Sequence, residues 1–354
     1  MRDAGSALRA FAAPAALAEI ALIVALLAGP LAGPLSGQEP LRARGLGGAR
    51  PEAAALALSG GEGGDLRLTV AAWPLPAADG TEGPNVLLVI EAEGQSLLRR
   101  SETPALPLEW TVYALGEDGA VTGFLAEGVR IDGREEVADT GVRFTAALAL
   151  PAGRQSLRVL VRHRASGAFG VRKVEVEAGA AAAFAIIPPP DAAPWVEVRS
   201  GAIPDPPPPL LSALLAAGPS ALPAARPEGG GRIAVWPPPA VPPRVELTAE
   251  GASSPVAAGE ALPVAAAGSP AVALFDLPSL AAPPGLYRLA LAGVSGAGRV
   301  ALLPPGSALP PRGWPALFAQ AGAPAAADAG AAPPPEPAPA ETAGAAELER
   351  ALAA

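Results

Sequence analysis

The sequence predicts an all-β chain: tandem immunoglobulin-like antiparallel β-sandwiches joined by Pro/Ala-rich linkers, the second unit smaller or incomplete. Three observations predict it. Between residues 63 and 178, seven short stretches rich in Leu, Val and Ile recur at intervals of about 10–15 residues, most alternating apolar with polar, the spacing of a sandwich. The chain holds 45 Pro and 41 Gly in 354 residues, so proline-free amphipathic runs long enough for helices are few. Finally, the strand pattern is written a second time in the C-terminal half, in "RIAVWPPPAVPPRVELTAEG" (232–251) and "LFDLPSLAAPPGLYRLALAGVSGAGRVALL" (274–303).

Taken in order, residues 1–37 read as a signal peptide or N-terminal anchor. Arg2 and Arg9 give a basic start, "IALIVALLAGPLAG" (20–33) is an apolar core too short for a comfortable span, and "PLSGQEP" (34–40) offers small residues for cleavage after Gly37. Residues 38–62 are Gly/Ala-rich and read as a linker. The first sandwich, 63–178, begins with "LRLTVA" (66–71), whose Leu66, Leu68 and Val70 share a face. "NVLLVIEAE" (85–93) is a continuous apolar run, as expected of a strand covered on both sides. "LEWTVYAL" (108–115), "VTGFLAEGVRI" (121–131) and "VRFTAALAL" (142–150) follow, and "LRVLVRH" (157–163) with "VRKVEVE" (171–177) form a hairpin.

Residues 179–230 read as a Pro-rich linker with one isolated strand candidate, "WVEVRS" (195–200). The second sandwich, 231–305, is a partial repeat. "RIAVW" (232–236) answers "RLTVAAW" (67–73), "RVELTAEG" (244–251) answers "VLLVIEAEG" (86–94), and 274–303 answers 146–176, which leaves about two strands missing. Residues 306–354 read as a Pro/Ala-rich disordered tail with a short helix at 345–354.

The "RLTVAAWPLPAADG…NVLLVIEAEG" opening and the "LPAGRQSLRVLVRHRASGAFG" ending resemble the C-terminal immunoglobulin-like β-module of VWFA-related (acidobacterial-type) secreted proteins, present here about twice. "PPPPLLSALLAAGPSALP" (206–223) resembles the lead-in to that module. The chain departs from the family in lacking the von Willebrand factor A domain and its Asp-x-Ser-x-Ser string, so metal-dependent adhesion transfers to no residue. The resemblance implies an exported tandem of accessory sandwich modules.

The residue inventory narrows the chemistry. No cysteine means no disulfide, thiolate metal site, cysteine nucleophile or lipobox anchor. A net charge of −9 argues against nucleic acid. His163 is the sole histidine and continues the inward row of Leu157, Val159 and Val161, so it reads as an edge-of-core residue. "GAGRVA" (296–301) fits a dinucleotide fingerprint formally, but "LLPPG" follows where a helix is required, so it reads as a turn. Asp132, Glu135, Glu136 and Asp139 are the metal candidates, since Ca²⁺ favours clustered carboxylates. Their spacing suits no calcium loop and Arg130 and Arg134 lie among them, so a solvated loop is the reading. Arg158, Arg162 and Arg164 line one outward face, either pairing across to Glu175 and Glu177 or forming a basic stripe for an acidic ligand. The five tryptophans, 73, 110, 195, 236 and 314, are candidates for carbohydrate stacking, Trp73 and Trp236 at equivalent repeat positions.

No catalytic residue and no cofactor are predicted. The function expected is that of an exported, non-catalytic binding or structural module with an unknown protein or glycan partner in the envelope. Such a module has no membrane span once its signal peptide is cleaved. The alternatives are a membrane-anchored periplasmic scaffold and a hydrolase with an unrecognised carboxylate site.

Overall fold

Residues 51–76, 83–99, 101, 105–188, 195–226, 231–264 and 271–303 are described in the computed structural model. The signal segment, residues 38–50 and the tail lie outside them. In the first half the elements are α1 (Pro51–Ser59), β1 (Gly63–Gly64), β2 (Leu68–Pro74), β3 (Val86–Ala92), α2 (Gly94–Leu98), β4 (Ala105–Leu115), β5 (Val121–Asp132), α3 (Arg134–Thr140), β6 (Val142–Leu148), β7 (Gly153–His163) and β8 (Phe169–Ala178). The second half contains β9 (Ala183–Ile187), β10 (Val196–Arg199), α4 (Pro209–Ala217), β11 (Ala224–Ala225), β12 (Arg232–Trp236), β13 (Arg244–Ala249), β14 (Ala257–Glu260), β15 (Leu262–Pro263), β16 (Ala273–Asp276), β17 (Gly285–Leu291) and β18 (Val294–Leu302).

These strands make four sheets, in two face-to-face pairs. Unit 1 pairs β1-β8-β7-β4-β5 with β10-β6-β3-β2, and unit 2 pairs β11-β18-β17-β13-β14 with β15-β16-β12-β9. Alternation sends one row of each strand inward. Core 1 gathers Leu88, Ile90, Leu108, Val159 and Trp110, the last stacked on Phe144 at 4.7 Å between ring centroids. Core 2 gathers Ile233, Val245, Leu247, Phe275, Leu289 and Val300. The chain is therefore all-β in its described part, as the alternation predicts.

Seven strands recur in the same order and with the same pairing senses. β2, β3 and β6 correspond to β9, β12 and β16, while β4, β5, β7 and β8 correspond to β13, β14, β17 and β18. The sequence echo is thus corrected at its front end. "RIAVW" stands in the place of β3, not β2, and "RVELTAEG" in the place of β4. Only the last three strands align as expected. No strand is missing: β9 lies in the proline-rich stretch and supplies the first. Unit 2 is nevertheless smaller, with 6 and 4 residues in β13 and β14 against 11 and 12 in β4 and β5.

The segment read as a linker, 179–230, carries four elements. β9 pairs antiparallel with β12, β10 pairs parallel with β6, and β11 pairs parallel with β18. Its prolines punctuate these elements without preventing them. Pro209 opens α4, where the missing N–H costs nothing, and Gly218 closes it in the left-handed conformation at φ +67°. Part of the 38–62 linker is also structured. Pro51 opens α1, and Ala53 and Leu56 pack on Leu160, Phe169 and Val171, outside the sheet. The "REEVADT" loop is helix α3, its Glu135 and Glu136 in the first turn where the helix dipole favours acids. "GAGRVA" lies within β18, a strand where a turn was expected.

The two units share a third apolar cluster. Leu87 and Val89 point away from core 1, as Ala234 and Trp236 point away from core 2, and Leu211 and Leu214 of α4 cover both sets. Trp236 is fully buried, and its Nε1–H donates to the Pro74 carbonyl of unit 1 at 2.9 Å. Replacing Trp236 with Ala should cost about 3–5 kcal/mol through lost burial and a residual cavity. Because that loss falls on a layer both units need, calorimetry should show one cooperative transition in the native chain and two in the variant.

Candidate functional site

A buried row of charged residues lies on the outer face of the β10-β6-β3-β2 sheet of unit 1. Register puts Glu91 of β3 opposite Arg143 of β6, and Arg143 opposite Glu197 of β10, so three charges form one row across three strands. Glu91 is completely buried. Its Oε1 accepts Arg143 Nε and lies 3.1 Å from both Nε and Nη2, and its Oε2 accepts Thr69 Oγ1 at 3.3 Å and the Leu222 amide at 3.2 Å. Arg143 Nη1 donates to Glu197 Oε1 at 3.0 Å, and the Trp195 ring covers the guanidinium, 5.3 Å from Cζ to centroid. Glu197 is half-exposed; burial, with Glu91 adding to it, holds its carboxyl above the ordinary range, more than Arg143 pulls it down.

Both carboxylate oxygens of Glu91 are thus engaged by donors. The row fastens β10 and the chain leaving α4 to the back of the sheet. Sequence reading missed it because Glu91 sits inside an apolar run. The available signal was that run itself: an acid in a strand covered on both faces requires a buried cationic partner.

Of the predicted metal candidates, Asp132, Glu135 and Glu136 have described side chains. Asp132 is exposed and lies 3.3 Å from Arg130, Glu135 and Glu136 are exposed on α3, and Asp139 lies farther along that helix. Among the described residues no group of three His, Asp or Glu side chains could hold a metal ion. The arginine row is similarly occupied. Arg158 Nη1 donates to the Ala57 carbonyl at 3.3 Å, at the C-terminal end of α1. Arg162 donates to Glu109 Oε2 through Nε at 3.0 Å and Nη2 at 2.7 Å, and Arg164 Nε lies 3.7 Å from the same oxygen. The expected partners are corrected: register places Arg162 opposite Glu109 of β4 on one side and Phe169 on the other, while Glu175 pairs with Arg154 and Lys173.

The four described tryptophans, 73, 110, 195 and 236, are each no more than 8% exposed, which removes them as stacking platforms for a sugar. Trp73 and Trp236 are not repeat equivalents; they belong to one shared cluster. Trp314 lies outside the described residues.

His163 is buried at the end of β7, as its parity predicts. Its Nδ1 lies 2.7 Å from Ser166 Oγ within a tight turn, and its Nε2 is buried without a hydrogen-bond partner. A nucleophilic serine needs a histidine whose far nitrogen is held by an acid, and among the described residues no carboxylate is bonded to this one. Burial, reinforced by Arg134, holds the imidazole below its ordinary value. A different kind of site is the apolar cleft of about 370 Å³ at the side of unit 1, lined by Val112, Phe124, Leu125, Leu148 and Leu150 and carrying no charged side chain.

Comparison with protein-family models gave no match, and neither did comparison with curated proteins. Among solved structures, Escherichia coli alpha-2-macroglobulin activated by porcine elastase aligns at 12% identity over 69% of this chain and 22% of its own, with a TM-score of 0.20. The native conformation of the E. coli protein aligns at 12% identity over 68% and 17%, at 0.22. The BSP domain of a biofilm associated protein aligns at 7% identity over 69% and 52%, at 0.17. The chain spans about a fifth of the length of the macroglobulin chains. TM-scores of this size carry no argument about fold or activity.

Two expectations follow from the charged row and from the burial of His163. Arg143→Met should cost about 3–5 kcal/mol because it strands the buried Glu91 carboxylate. Adding Glu91→Gln should recover much of that loss, a positive coupling that denaturant titration of the double-mutant cycle reads directly. Separately, the lowered His163 value means the unfolded chain takes up a proton first. Stability should be complete above about pH 6.5 and decline below it, by at most about 1.4 kcal/mol per pH unit, and His163→Gln should remove that slope.

Proposed function

We propose that the protein is an exported, non-catalytic module of two sandwiches that works as a rigid binding or structural piece in the bacterial cell envelope or outside it. The observation that carries this reading is the shared apolar layer. Trp236, Leu87, Val89 and α4 join the two units into one body, where a chain of independent beads would keep them apart. A rigid scaffold that displays loops and edges suits recognition, and loops on such frames are where recognition residues gather. The use of Arg158, Arg162 and His163 in internal contacts supports a non-catalytic role.

Export rests on the basic start and apolar core of residues 1–37 and on the resemblance to modules of secreted VWFA-related proteins. No helix among the described residues is long and apolar enough to cross a membrane. The immunoglobulin-like reading of each unit is supported by seven strands arranged as three on four with inward alternation.

The test is fractionation of cells expressing the full chain with a C-terminal tag, followed by sequencing of its mature N-terminus. The expected result is protein beyond the inner membrane with a terminus near Gln38. An intact Met1 on protein held at the membrane would replace this reading with an anchored scaffold, and protein confined to the cytosol would overturn export altogether.

A further inference from the structure

Each sheet of unit 1 has one short strand added outside its seven-strand core, and β10 is the added strand whose attachment is the most concentrated. It is 4 residues long and, among the described residues, pairs with β6 alone. Val196 and Val198 bury only partly against core 1, while Glu197 and Arg199 face outward. Two residues of the seven-strand core receive side chains of this segment. Arg143 receives Glu197 and the Trp195 ring, and Glu127 of β5 accepts Ser200 Oγ–H at 2.5 Å across the open side of the sandwich. Two backbone bonds flank these, Val196 N to Gly141 O at 3.2 Å and Ser200 N to Thr145 O at 2.9 Å.

The charge arithmetic favours release of the strand as one piece. With β10 in place the row holds two carboxylates and one guanidinium. With β10 away, Glu91 keeps Arg143, Thr69 and the Leu222 amide, so no buried charge is orphaned and a neutral pair remains. Trp195 and Ser200 at the two ends are buried, whereas the strand between them is half-buried or exposed and has an edge ladder on one side, the property of segments that open locally below the global unfolding free energy. Ala202, just beyond the strand, forms part of the wall of the apolar cleft between β5 and β6.

We propose that residues 195–202 form a displaceable strap over the open side of unit 1, held by Arg143 and Glu127, whose release widens the cleft while the seven-strand core stays folded. The strap goes beyond the proposed export and binding role and does not depend on it. Its docking responds to acidity in a defined direction. The groups around the Glu197 carboxyl are Arg143 and Glu91 from the two neighbouring strands and Arg199 from its own. Since that carboxyl is raised when docked, it binds its proton more tightly in the docked state. The strap therefore holds best in acid and loosens as pH rises through the docked value.

Hydrogen exchange of the full chain, read as protection factors corrected for intrinsic rates between pH 4 and 7, tests this. Trp195→Ala and Ser200→Ala should each lower protection at 196–200 at least ten-fold, leave β4, β7 and β8 unchanged, and raise the fluorescence of added 8-anilinonaphthalene-1-sulfonate. In the native chain, protection at 196–200 should fall as pH rises, and Glu197→Gln should flatten that profile without unfolding the core. Protection lost throughout unit 1 would overturn the strap, as would unaltered protection at 196–200 or a pH profile that survives Glu197→Gln.

Discussion

The rest of the structure depends on β3 being buried on both faces. Val86, Leu88, Ile90 and Ala92 fill core 1, which leaves Leu87, Val89 and Glu91 on the other side of the same ribbon. An antiparallel sheet ordinarily shows one face to water, with polar residues in the outward row. Here two of the three are apolar and the row must be covered. Covering it takes α4, the edge of unit 2 and the chain between them, so the folding of the connection follows from three side chains of one strand.

Glu91 shapes how that cover is attached. A carboxylate in a dry layer requires a cation and further donors, and Arg143, Thr69 and the Leu222 amide provide them from three separate parts of the chain. Apolar contact has no direction and would let α4 slide along the sheet. The bond from the Leu222 amide to Glu91 fixes the register of the chain leaving the helix. The same Arg143 then has one nitrogen left for Glu197, which is how β10 is also attached to this face.

The parts of this architecture legible in the sequence are those set by local alternation. The strands of unit 1 fall where the two-residue period puts them, and "NVLLVIEAE" reads as doubly covered because nothing polar interrupts it for five residues. What escapes is the outcome of a contest between local and distant signals. "AAAFAIIPPPD" reads as spacer because alanine and proline dominate, yet Phe184 and Ile186 enter core 2 while Ala183, Ala185 and Ile187 enter the shared layer, which sets this stretch as a strand against β12. Missing that strand shifted the repeat by one position and made Trp73 and Trp236 look like equivalents. The charged row was invisible for a different reason: Glu91, Arg143 and Glu197 are far apart in sequence, and only sheet register makes them neighbours.

The layer between the units is built from unusually small side chains, among them Ala147, Ala183, Ala185, Ala221 and Ala234. Alanine lets two backbones approach closely but removes little apolar area from water, so each of these residues contributes weakly. The energy of the joint must then come from the larger groups set into it, among them Trp73, Trp236, Leu87, Leu211 and Leu214. Trp236 differs from the leucines in also carrying a donor, and the Pro74 carbonyl it meets belongs to the other unit. That bond has an orientation, which apolar burial does not. The alanines therefore set how close the two units come, the leucines and tryptophan determine how firmly, and the indole N–H selects one arrangement among those that small residues alone would allow.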